Sequence, residues 1–218
     1  MEDCRVLEAC REGKYTSVLV QTHDKKYVEY RTEHFVNALG SGAGKLCDSM
    51  GIDAGLYPVR HQAFITRRLP MLGKHGTNLD MLIDRQDYKG FSAVYGQQIA
   101  YTGQIIGCAS PKLDAMRIDK NLKVNTKAFL EIVSEMFSEW IHDLAGVGIQ
   151  AVWAGYYTEP RYIVDPELGL FVGMRGHGFM LSQYIARMYV DKLLGRPVPE
   201  YFEKLKLNGP GLSEKAFK

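Results

Sequence analysis

The residues best suited by type and spacing to chemistry are Gly173-Met174-Arg175-Gly176-His177-Gly178-Phe179, between a short apolar run, Leu170 to Val172, and a long apolar stretch. Glycines let backbone come close to a planar or anionic ligand, because no Cβ intervenes. A helix opening here would present unpaired N–H groups and a partial positive charge, so the turn is suited to receiving negative charge. Arg175 would reinforce that field. A second glycine-rich turn, Gly40-Ser41-Gly42-Ala43-Gly44, follows His34 to Leu39, which reads as a short apolar strand. A strand opening into such a turn is where α/β folds place ligands, although a flexible loop shows the same glycines. No G-x-G-x-x-G occurs in the 218 residues, so the usual dinucleotide phosphate cradle is missing from them.

These turns need elements to hold them. Phe179 to Leu194 is apolar on most sides, through Met180, Leu181, Tyr184, Ile185, Met188, Tyr189, Leu193 and Leu194, which predicts a buried rather than amphipathic helix ended by Gly195 and Pro197. Thr16 to Thr22 and Tyr27 to Tyr30 read as a hairpin, and Lys45 to Met50 as the start of a helix. From Leu56 to Gly107 the pattern is β-rich. Leu56 to Thr66 is one strand entered through Pro58; Met81 to Ile83, Phe91 to Tyr95 and Gln98 to Tyr101 are others, and Thr102-Gly103 turns into Gln104 to Gly107. Arg67 to Asn78 reads as a loop. Such a meander leaves one sheet face available to a ligand.

Thr126 to Leu144 carries Phe129, Ile132, Val133, Met136, Phe137, Trp140, Ile141 and Leu144 at three- and four-residue steps, a core-facing helix with Asn125 as N-cap and Gly146 after its end. Ile149 to Gly155 returns to strand and leads into the aromatic and charged stretch Tyr156 to Tyr162. The tail from Pro199 to Lys218 is polar and Lys-rich and reads as a surface extension or partly disordered segment.

Composition narrows the function classes. Hydrophobic residues at 46% and charged residues at 24% fit a globular protein and exclude disorder. A net charge of +2, from 27 basic and 25 acidic residues without single-sign blocks, gives no footprint for nucleic acid or lipid headgroups. Cys4, Cys10, Cys47 and Cys108 follow no zinc spacing. With no apolar leader and no membrane-length apolar run, the expectation is reduced thiols in a cytoplasmic protein with no metal.

In their order, these pieces resemble the C-terminal part of the FAD-dependent D-amino-acid oxidase superfamily, which includes glycine oxidase, sarcosine oxidase and dye-linked proline dehydrogenases. Val36-Asn37-Ala38-Leu39-Gly40 is similar to the family's V-N-A-A-G strand beside FAD, and Pro58-Val59-Arg60-His61-Gln62 to its P-x-R-G-Q entry into the substrate domain. Trp153-Ala154-Gly155-Tyr156-Tyr157-Thr158 resembles W-A-G-x-Y, and Gly173 to Phe179 the G-h-S-G-H-G-F turn against the flavin. Among the departures, His61 replaces a glycine, Met174 and Arg175 replace a His and a Ser, and Arg161 stands where an acid often follows the W-A-G segment. Tyr157 occupies the place of glycine oxidase's carboxylate-binding arginine.

The resemblance implies an α/β (α+β) class: an incomplete FAD-binding domain plus an antiparallel or mixed-sheet substrate domain. The expected division is 1–55 and 161–218 in the former and 56–160 in the latter. It places Asn37, Ala38, Leu39, Gly40, Gly173, Met174, Arg175, Gly176, His177, Gly178 and Phe179 at the cofactor, and Arg60, Tyr156, Tyr157 and Arg161 at an amine or amino-acid substrate, or a hydroxy acid. No catalytic residue is assigned. Arg60 could instead pair with a neighbouring acid, and His177 could merely fill space. A Cβ on Gly176 is expected to obstruct the ring or force the backbone from a conformation that glycine favours. Cysteine is absent near the W-A-G segment, so the flavin is expected to be noncovalent and held only with a partner chain carrying the G-x-G-x-x-G domain. Without that chain, self-association is expected. The alternative is a truncated remnant or protein-binding scaffold without flavin.

Overall fold

In chain order, the computed structural model contains β1 (Arg5–Glu12), β2 (Tyr15–Gln21), β3 (Tyr27–Thr32), α1 (Ala43–Ser49), β4 (Tyr57–Thr66), β5 (Leu82–Asp84), β6 (Phe91–Ile99), β7 (Gln104–Pro111), α2 (Thr126–Trp140), β8 (Ile149–Glu159), β9 (Ile163–Asp165), β10 (Leu170–Val172) and α3 (Gly178–Leu193). The residues described are 2–74, 76–85, 91–111, 122, 126–140 and 148–211. They form two units, Met1–Pro58 with Tyr157–Lys218, and Val59–Tyr156.

In the first unit the expected hairpin is β2–β3, and β1, which sequence reasoning missed, pairs antiparallel with β2. Ala9, Val18 and Val20 from this sheet bury against Leu46 of α1. The strand expected over His34 to Leu39 shrinks to one parallel bridge, Asn37 to Leu170. The Asn37 side-chain oxygen accepts the Leu39 N–H at 3.3 Å, which bends the chain away immediately after the bridge. β9 and β10 form a two-stranded antiparallel pair, and Ile163, Leu170 and Val172 pack with Ala43 and Cys47 of α1.

Two expectations fail in the last fifty residues. The helix read as buried rather than amphipathic is α3, and it buries Ile185, Met188 and Tyr189 while leaving Phe179, Met180, Tyr184, Val190 and Leu193 exposed. The described part of the tail is no loose extension. Glu200–Leu205 forms a 3₁₀ turn whose Phe202 and Leu205 are buried against Ile185, Met188 and Tyr189, because apolar side chains three apart share one side of such a turn. Lys206 then bridges Glu167 and Glu203 at 2.9 and 3.1 Å. Residues 212–218 lie outside the described set.

The second unit holds a five-stranded sheet of order β5-β6-β7-β4-β8. The segments read as two strands, Phe91 to Tyr95 and Gln98 to Tyr101, are one strand, β6, because pairing continues through Gly96 opposite Gly107 and Gln97 opposite Ile106. A Cβ on Gly107 would lie 2.5 Å from the Phe64 ring, so that glycine makes room for the core. α2 covers one sheet face: Phe129 lies 6.0 Å from Phe64 and 6.3 Å from Phe91 between ring centres, with Val133, Val94, Ile105 and Ala109 around it. The expected extension of this helix to Leu144, with Asn125 and Gly146 at its ends, falls outside the described residues. On the opposite face Ala63, Cys108 and Tyr95 stand in register across three strands. All four cysteines are free thiols. Among the described residues no helix is long and apolar enough to cross a membrane.

Candidate functional site

The two glycine turns singled out in the sequence leave the paired segments at the same end. Asn37 pairs in parallel with Leu170, its N–H donating to the Gly169 carbonyl at 2.8 Å and its carbonyl accepting from Phe171 N–H at 3.0 Å. Three residues beyond each bridge partner stands a glycine in the left-handed region, Gly40 at φ +54° and Gly173 at φ +70°. Two chains running the same way thus turn outward together, the arrangement in which α/β sheets receive ligands beyond their carboxyl ends. A side chain at Gly173 would run into the Arg161 carbonyl, a second reason for glycine there.

Asn37 is fully buried, and its side-chain nitrogen donates to the Ala43 carbonyl at 3.0 Å and contacts Cys47 Sγ at 3.4 Å. It therefore anchors the first turn from below, while Ala38, Leu39 and Gly40 are exposed at its rim. Burial raises the neighbouring Cys47 thiol above its ordinary pKa.

At the second turn Arg175–His177 forms one 3₁₀ turn and α3 begins at Gly178. No side chain caps the first turn of α3, and just ahead of it the His177 N–H donates to the Met174 carbonyl at 3.2 Å, so what the helix start offers is its partial positive charge. The expected reinforcing charge is otherwise engaged: Arg175 Nε donates to Glu159 Oε2 at 2.6 Å, forming an ion pair. The reason expected for Gly176 also changes. Its φ lies outside the left-handed region, and a Cβ there would meet the Tyr157 ring at 2.6 Å; the residue that does adopt φ +50° is Arg175. His177 is more than a space-filler. Its Nδ1 is hydrogen-bonded at 2.6 Å to the hydroxyl of buried Tyr162, which fixes the ring. Met174 packs into the core below α3, and Phe179 is 99% exposed at the helix opening.

Of the residues expected at a substrate, Tyr157 and Arg161 lie in the first unit. Tyr157 lies against Gly176, whereas both terminal nitrogens of Arg161 donate to tail carbonyls, to Gly209 at 2.9 Å and to Leu207. Arg161 thus fastens the tail. Arg60 and Tyr156 belong to the second unit, both half-buried. Along β4 Gln62 and Phe64 share the α2 side and Ala63 stands on the other, while the alternation of burial breaks at Arg60 and His61. Burial lowers the His61 pKa to about 4, so it is neutral at neutral pH. Sequence reasoning gave no role to His61, Glu159 or Tyr162. Only His61 left a signal, as a histidine in a glycine's place.

No curated protein matches the sequence. By structure the chain is similar to glycine oxidase from Geobacillus kaustophilus, with TM-score 0.67 and 18% identity, over 94% of this chain and 52% of that one. It is similar also to iminodiacetate oxidase from Chelativorans sp. BNC1, with TM-score 0.66 and 13% identity over 96% and 53% of the two chains. For L-amino acid deaminase from Proteus vulgaris the values are 0.59 and 16%, over 94% and 49%. The chain therefore spans about half the length of these proteins, and at such identities the likeness is one of fold. The model of the FAD dependent oxidoreductase family, DAO, matches residues 1–192, and the chain belongs to that family.

Proposed function

We propose that this chain is the substrate-facing half of an FAD-dependent oxidoreductase that removes hydride from the C–H bond beside the nitrogen of an amine or amino acid. The observation that carries the reading is the paired exit of the Gly40 and Gly173 turns beside the uncapped start of α3. These residues fit the ring portion of the cofactor: exposed Ala38, Leu39 and Gly40 offer a rim without bulky polar groups. Pyrophosphate contacts would come from residues outside these 218, in the same polypeptide or in a separate chain. FAD supplies the hydride acceptor, and the protein supplies position and field. The uncapped start of α3 stabilises negative charge that develops beside it. His177, held by Tyr162, keeps one orientation at the helix opening, and Tyr157 offers a hydroxyl to a substrate carboxylate. Arg60 and Tyr156 are the second unit's candidates for the same task.

The test is the absorption spectrum of the protein purified from its native source. Flavin bands that bleach on anaerobic addition of a secondary amine or amino acid are expected. A colourless protein would overturn the reading in favour of a scaffold without flavin.

A further inference from the structure

Arg175 is a non-glycine residue at φ +50°, a region where an L side chain is disfavoured by a factor of about 5–30 relative to glycine. Other described residues of this kind include Lys25 between β2 and β3 and Tyr101 before β7, both in turns joining adjacent strands. Arg175 instead stands between β10 and α3, where its conformation sets the direction in which Gly176, His177 and Gly178 enter the helix. The guanidinium is held by Glu159 at 2.6 Å, and the two side chains are only 23% and 17% exposed, so water screens the pair weakly. Glu159 ends β8, two residues after Tyr157, whose ring lies where a Gly176 Cβ would stand. One strand end therefore contacts the turn twice, through an ion pair at 175 and a ring at 176.

We propose that Glu159 and Arg175 are positioning residues: their ion pair is a latch that holds residue 175 left-handed and so fixes the outward aim of the amides at the start of α3. The latch rests on the flavin reading only for its purpose, since its geometry stands without a ligand. It gives Arg175 a role other than the field source expected from sequence. It also makes a distinctive claim, that glycine at 175 needs no latch whereas alanine does.

The experiment compares the 218-residue chain with Glu159→Gln, Arg175→Ala and Arg175→Gly, following the amide resonances of Gly176, His177 and Gly178 by NMR and titrating each with FAD to millimolar concentration. Alanine and glycine remove the same ion pair, so they differ chiefly in the backbone conformation that each permits. The expected result is displaced turn resonances and about tenfold weaker FAD binding in Glu159→Gln and Arg175→Ala, with Arg175→Gly within about twofold of the parent, in line with the left-handed penalty. Far-UV circular dichroism checks that each variant is folded, and Arg175→Gly keeps the proposal testable if the other two are not. Equal behaviour of Arg175→Gly and Arg175→Ala would overturn the latch, as would unmoved turn resonances in Glu159→Gln. Turn resonances that follow the expected order while no chain responds to FAD would uphold the latch, and the flavin reading would then stand or fall on the absorption spectrum of the native protein.

Discussion

Replacing Gly176 with alanine puts a Cβ 2.6 Å from Cε2 of Tyr157, 3.1 Å from Cζ and 3.3 Å from Cδ2. Carbon atoms rest at about 3.5–4.0 Å, so the nearest pair is about 1 Å too close and a whole ring edge must give way. No backbone penalty adds to this, because φ at 176 is not left-handed. Small-to-large changes in packed surroundings cost about 1–3 kcal/mol, and that is the loss expected in urea denaturation at 25 °C. The contact can be isolated by a double-mutant cycle. In a Tyr157→Ala background the ring edge is gone, and Gly176→Ala should cost less than about 0.5 kcal/mol, leaving a coupling of about 1–2 kcal/mol. A Gly176→Ala cost below about 0.5 kcal/mol in the parent, or the same cost in both backgrounds, would refute the steric argument.

His61 has a folded pKa of about 4 against an ordinary 6.5, so between these values the unfolded chain binds the extra proton and stability falls as pH drops, by at most about 3 kcal/mol. Denaturation at pH 7, 5.5 and 4 should show a shallower pH dependence in His61→Gln, and equal slopes would count against burial as the cause. Phe202 is fully buried, so Phe202→Ala should cost about 3–5 kcal/mol in chemical denaturation; a loss under about 0.5 kcal/mol would return the segment to the surface. Val190 and Leu193 are 45% and 42% exposed on α3, so the isolated chain should self-associate at micromolar concentration, and Val190→Lys with Leu193→Lys should reduce it. Sedimentation of the parent as a clean monomer at high concentration would sink that expectation.

Periodicity was a good guide where an element's cover lies within the described residues. Phe129 and Val133 read as core and are core, since α2 buries them on the sheet of its own unit. It misled at α3. Met180, Tyr184 and Leu193 read as buried, yet they are exposed, and on the proposed reading their cover lies outside the 218 residues. β1 went unseen because charged residues interrupt Arg5–Glu12 and a register shift between Val6 and Glu8 breaks strict alternation. β9 is only three residues long, too short for a pattern. At the candidate site the glycines marked both turns, because a missing Cβ is visible in sequence. The left-handed Arg175 was not, since its side chain argues against that conformation and its partner Glu159 is sixteen residues earlier.

The charge at the second turn has a different origin from the one its sequence suggests. With Arg175 matched to Glu159 at 2.6 Å, the pair acts at a distance as a dipole rather than a cation. What remains is the start of α3, worth about half a unit charge from amides that no side chain caps. A field made of backbone neither titrates in the physiological range nor needs to reorganise when charge develops, the property that makes preorganised donors effective. Its direction is only as fixed as the helix that carries it. α3 is held from beneath by Ile185, Met188 and Tyr189 against Phe202 and Leu205, and Arg161 fastens the residues that follow at Leu207 and Gly209. The tail, which its composition suggested was a surface extension or partly disordered, is thereby part of what aims the amides. Loosening it should disturb the turn without touching any glycine.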